Sequence, residues 1–158
     1  MSELSKHRAA PAATTTVRSA TAATQAALAA EYAAVYGYGV VGAHTSGTAR
    51  AQASRALAWH QARQPVLAAA LTSAGAQLPA SAPAYVLPFA VTDAADAARL
   101  ATALEQGVAA TYADLVAATE SGERQAAALA LSDCAVRAAQ WRGFSVPFPG
   151  LPERATST

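Results

Sequence analysis

The sequence predicts an all-α four-helix bundle, and three observations predict it. Alanine supplies 48 of the 158 residues; it is the best helix former and a poor core filler, so helices must pack closely on small side chains. Two short breaks, Thr45-Ser46-Gly47 and Ser121-Gly122, each separate two long helical stretches. Between these pairs lies one long segment, residues 75 to 91, whose Pro79, Pro83 and Pro88 exclude a helix. Short loops between helices make antiparallel hairpins, so the chain reads as two hairpins joined by one crossover.

The first helix is expected from about Ser19 to His44. The second runs from about Thr48 to Ser73, with Ser46 placed to cap it and Gly75 to end it. Pro65 inside it predicts a kink near Gln61 to Gln64. A helix of about 27 residues is about 40 Å long, and a 17-residue connection can extend to about 56 Å, so the middle segment can cross the whole bundle. Thr92 or Asp93 caps the third helix, with Asp96 in its first turn, where the helix dipole favours an acid. It runs to about Glu120, and the fourth helix runs from about Glu123 to Trp141. Residues 1–20 read as a disordered Ser/Thr/Ala/Pro arm, 21–143 as the bundle, and 144–158 as a Pro-rich tail laid over the bundle end.

Composition narrows the function classes. A net charge of +1 with scattered arginines argues against nucleic acid as a partner. One cysteine excludes an internal disulfide and a Cys-rich metal site, and makes the cytoplasm the default location. Residues Ala26 to Ala43 are nearly free of charge but short for a membrane span and interrupted by Glu31, so no membrane is expected. There is no Gly-rich phosphate loop, nucleophile elbow or spaced Cys/His cluster.

Helical wheels place three ionisable side chains on apolar faces. Glu31 shares its stripe with Leu28, Val35, Tyr38 and Gly42. His60 shares one with Ala53, Ala56, Leu57, Leu67 and Leu71. Glu105 shares one with Ala98, Ala101, Ala109, Tyr112 and Val116. Glu31 and His60 are about equally far from the first hairpin turn, so they meet at one level, and Glu105 lies near mid-bundle. Each Glu is followed seven residues later by a tyrosine, Tyr38 or Tyr112, on the same stripe, which hints at an internal two-fold. The fourth helix centres its apolar face on Ala127, Leu131, Cys134 and Ala138, with Asp133 on the rim.

Two hairpins, one long crossover, and an inward Glu on the first and third helices resemble the ferritin-like superfamily. The stretches LAAEYAAVYGYGVVGAH, AYVLPFAVTDA, LEQGVAATYADLVAA and FPGLPE resemble an uncharacterised bacterial family known as a ferritin-like domain of unknown function, over about residues 24 to 153. The resemblance implies a ferritin-like four-helix bundle and no particular activity. Di-iron members of the superfamily carry one Glu on two helices and Glu-x-x-His on the other two. Glu31, Glu105 and His60 match three of those ligands; Leu57 stands where the second-helix Glu would be, and the fourth helix offers neither Glu nor His. A symmetric two-metal centre is therefore incomplete.

Two function classes follow. The first is a binding or assembly protein, a homodimer with no cofactor expected, whose Glu31, His60 and Glu105 form a polar network with Tyr38 or Tyr112. The second is a metal-dependent oxidoreductase or metal-storage protein holding a single Fe, Mn or Zn ion on Glu31, His60 and Glu105. A small ligand between the hairpins, gated by residues 85 to 89, is a third option. Tyr32, Tyr36, Trp59 and Trp141 read as packing residues, His44 as a C-terminal cap, Cys134 as a buried inert thiol, and Arg63 and Arg137 as partners of acids at the bundle rim.

Overall fold

Helix-forming alanine and the placement of caps divide the described chain into four helices: α1 (Ala20–Ala43), α2 (Gly47–Ser73), α3 (Ala94–Ala118) and α4 (Ser121–Arg142). The structure, a computed structural model, describes residues 19–143; most of the expected N-terminal arm and the Pro-rich tail lie outside the described residues. No strand occurs among the described residues, and no helix there is long and apolar enough to cross a membrane.

The ends follow local chemistry. Ser19 Oγ accepts from the Ala22 amide at 3.2 Å and opens α1. Ser46 sits at the N-cap of α2, but its side chain makes no capping bond. α2 continues through Pro65 and ends in a Schellman turn: Gly75, at φ +65°, lets the amides of Gly75 and Ala76 reach the carbonyls of Thr72 and Leu71. Asp93 caps α3 through the Asp96 amide at 2.8 Å, and Asp96 Oδ2 accepts from both the amide and hydroxyl of Thr92. This closes the first turn reciprocally.

The second break falls at Thr119-Glu120, not Ser121-Gly122, so α4 begins two residues earlier than expected. Thr119 Oγ1 turns back to the Leu115 carbonyl at 2.6 Å, and Arg124 Nε donates to the Thr119 carbonyl at 2.6 Å. These bonds hold the start of α4 against the end of α3, with Ser121 taking the positive φ of 50° that the turn requires.

α1 packs against α2 and α3, and α3 against α4, while α2 and α4 form no comparable contact. Tyr112 meets Glu31, and Tyr38 meets Glu105, so α1 and α3 run antiparallel. The connection from α2 to α3 climbs the bundle beside α1: Gln25 Nε2 donates to the Gln77 carbonyl at 2.8 Å, and the Tyr36 and Tyr85 rings lie 5.7 Å apart. Leu87, Phe89 and Val91 then pack on the far end of the core. The expected hairpins and long crossover are both present. Gly37 leaves room for the Leu104 side chain of α3, since a Cβ there would stand 2.5 Å from Leu104 Cδ1.

The interior is two apolar clusters with a polar layer between. One holds Ala23, Ala27, Leu28, Leu67, Leu71 and Leu115; the other holds Val41, Ala53, Ala56, Ala97, Leu100 and Ala101.

Candidate functional site

Between those clusters α1, α2 and α3 bring Glu31, His60 and Glu105 together, each fully buried. The apolar stripes determine this: each residue stands among alanines and leucines that must face inward. The helices also meet at one level. His60 Nδ1 lies 2.5 Å from Glu31 Oε2, and His60 Nε2 lies 3.2 Å from Glu105 Oε1.

The Glu-to-Tyr echo becomes a crossed pair. Tyr112 Oη donates to Glu31 Oε1 and Tyr38 Oη to Glu105 Oε1, each at 2.6 Å. Neither tyrosine bonds the Glu of its own helix, because seven residues span about 10 Å along the axis. Antiparallel packing instead carries each tyrosine to the other hairpin's carboxylate.

A fourth member comes from α4. Arg137 Nε donates to Glu105 Oε1 at 2.7 Å, with 14% of its side chain exposed, and Nη2 donates to Cys134 Sγ at 3.3 Å. Arg137 was expected to meet an acid at the rim; it instead reaches the core, since a long arginine stem can carry its head inward from a rim position. Its guanidinium carbon stands 3.8 Å from the Trp59 ring centre. Arg63 likewise departs from expectation: Nε donates to Tyr112 Oη at 3.2 Å, and it pairs with no carboxylate among the described residues. Trp141 Nε1 donates to Tyr38 Oη at 3.1 Å, and Trp59 sets its edge against the His60 ring at 5.0 Å. Both tryptophans thus pack and also flank the polar layer.

Electrostatics follow from this arrangement. Burial pushes the His60 pKa down, but hydrogen bonds to Glu105 and Glu31 and their charges outweigh it and hold the pKa above 6.5. A ring that donates from both nitrogens is the imidazolium. Burial pushes the Glu105 pKa up, yet the bonds and charges of His60 and Arg137 hold it below the ordinary value. Burial, then the charges and bonds of Glu105 and Glu31, raise the pKa values of Tyr38 and Tyr112 and keep both phenols neutral donors. Burial and the charge of Glu105 raise the Cys134 pKa, which fits an unreactive thiol. With His60 protonated, two carboxylates face two cations and the layer closes near zero net charge.

Glu105 Oε2 stands apart, buried with no hydrogen-bond partner among the described residues. In the arrangement as bonded, no group of three or more His, Cys, Asp or Glu side chains among the described residues could hold a metal ion.

The remaining candidates lie elsewhere. His44 Nδ1 is 3.0 Å from the Val40 carbonyl at the end of α1, as expected of a cap. Tyr32 packs at the edge of the core, Tyr36 meets Tyr85, and Asp133 is exposed. A cleft does open between α2 and α4, but none of residues 85 to 89 lines it. That segment ends on the core beside α1, away from the cleft, so it is no gate there.

The tyrosines differ in what they leave behind. Glu31 Oε1 has only Tyr112, whereas Glu105 Oε1 also holds His60 and Arg137. Tyr112→Phe is therefore expected to cost about 1–3 kcal/mol of folding stability and Tyr38→Phe less. Urea unfolding checks the order, and a larger loss for Tyr38→Phe would contradict this account of the bonding.

Similarity to other proteins agrees with the fold. A conserved hypothetical protein, rv2844, from Mycobacterium tuberculosis has a crystal structure that superposes with a TM-score of 0.76 at 36% identity, over 78% of this chain and 95% of that one. No curated protein matches the sequence. Residues 23–153 match the family described as Domain of unknown function (DUF4439), and the chain belongs to that family.

Proposed function

We propose that this protein works by binding or assembly, as a homodimer, on a ferritin-like bundle in which an internal ion network stands where a complete di-metal centre would be. One observation carries the reading: His60 is bonded to Glu31 and Glu105 through both ring nitrogens. An imidazolium has no lone pair for a metal and no free site for proton transfer. The superfamily's usual chemistry would therefore require this layer to be dismantled first. Assembly is supported by Leu129 and Val136, two turns apart on α4 and 63% and 54% exposed. The buried free thiol of Cys134 fits a cytoplasmic location.

A second reading has one observation behind it. The unpartnered Oε2 of Glu105 is the atom a single Fe, Mn or Zn ion would use, with Glu31 and His60 as further donors once His60 lost its proton. Native mass spectrometry of the full chain, purified without chelator, distinguishes the readings. The expected species is a dimer without bound metal. One metal ion retained per chain would overturn the leading reading in favour of the second, and a monomer at tens of micromolar would remove its assembly half.

A further inference from the structure

α2 and α4 border the loosest side of the bundle, and toward the end where α2 finishes and α4 begins the seam opens into a cleft of about 180 Å³. Leu67 and Leu71 of α2, Leu115 of α3 and Ala127 of α4 line it, and all four are buried. Arg63, one turn beyond His60 and half-buried, lines the end nearest the polar layer. The guanidinium carbon lies 5.8 Å from the Trp59 ring centre and 5.7 Å from that of Tyr112, and Nε bonds Tyr112. No described carboxylate pairs with it. A guanidinium carries five N–H donors in a planar fork, so its Nη groups are held in place for a guest. The acid among the lining residues, Glu123, is in the first turn of α4 at the mouth. By helix rise it stands roughly 12 Å from Arg63 along the axis.

We propose that this cleft binds a single-chain amphiphile with an anionic head, a medium-chain carboxylate, with the head on Arg63 and the alkyl chain running toward the mouth. Apolar walls favour an alkyl chain, whose burial is worth about 0.8 kcal/mol per CH₂. A volume below the roughly 300 Å³ of a drug-sized pocket admits only a slender guest. A half-buried cation without a counter-charge favours an anion, and a planar fork favours a carboxylate over a point charge. Glu123 at the mouth repels an anionic head there, which sets the direction of entry. This inference deepens the binding reading above but depends on the cleft alone.

Isothermal titration calorimetry of the full chain with octanoate, 1-octanol and octylammonium tests it. Octanoate is expected to bind once per chain, about tenfold or more tighter than 1-octanol, with octylammonium weakest. Arg63→Gln should bring octanoate down to the level of 1-octanol and leave 1-octanol unchanged. Ala70 lines the cleft but is exposed, so Ala70→Phe fills the space without burdening the core and should abolish binding of both. Octanoate no tighter than octylammonium, or binding unaffected by Ala70→Phe, would overturn the proposal. Absence of octanoate binding to a dimer without metal would remove the cleft ligand and leave assembly standing. Octanoate binding to a chain that retains metal would leave the cleft standing and remove the leading reading of the core.

Discussion

Replacing Glu105 by alanine is expected to lower folding stability by about 3–5 kcal/mol. Glu105 Oε1 is the common acceptor for Tyr38, His60 and Arg137. Its removal leaves two cations and a phenol facing one another in a space that water does not reach. The cost of an unpaired buried charge exceeds the worth of any single bond, because the low-dielectric interior offers no alternative partner. Arg137 can partly escape through its exposed edge, whereas His60 is fully buried and keeps Glu31 as its one remaining carboxylate. Urea unfolding near pH 6 measures the loss, and a change below about 1 kcal/mol would mean that the layer is not ion-paired.

The second large effect is in the pH dependence. The His60 pKa is raised on folding, so its contribution is complete below the ordinary value of 6.5 and is lost as pH rises through the folded value. Stability is expected to fall above pH 6.5 with a limiting slope of about 1.4 kcal/mol per pH unit. Glu105 acts in the opposite sense: its pKa is lowered, so its contribution is present above the ordinary 4.5 and is lost as pH falls through the folded value. The maximum therefore lies between about pH 4.5 and 6.5. His60→Gln should be less stable throughout yet flat where the wild type declines. A wild type as stable at pH 9 as at pH 6, or an unchanged slope in His60→Gln, would contradict the imidazolium assignment.

Much of this is legible in the sequence. Pro79, Pro83 and Pro88 force the middle segment out of helix, and Gly75 ends α2 by a turn only a residue free at positive φ makes easily. Glu31, His60 and Glu105 stand out because no other residue on their stripes is ionised at neutral pH. The Tyr38 and Tyr112 echo is visible as spacing, but its crossed bonding depends on the relative direction of α1 and α3, which no single helix encodes. Arg137 is legible as the partner of an acid but not as one that reaches the core, because a wheel places Cα atoms, not the ends of long side chains. The signal that could have found it is local: Trp141 follows by four residues on the same face, as expected for an arginine shielded by aromatic neighbours. Arg63 follows His60 by one turn in the same way. The Thr119 turn was hidden because a threonine back-bond, like that to the Leu115 carbonyl, can also sit inside a helix.

The polar layer has a further consequence for how uniquely the chain folds. Faces built mainly of alanine are nearly interchangeable from turn to turn. Sliding α3 along α1 by one turn, about 5.4 Å, would preserve much of the apolar contact. It would part Tyr38 from Glu105 and Tyr112 from Glu31 at the same time. The buried charges thus act as a key with one admissible setting, selecting one alignment of the two hairpins among several that small side chains alone would tolerate.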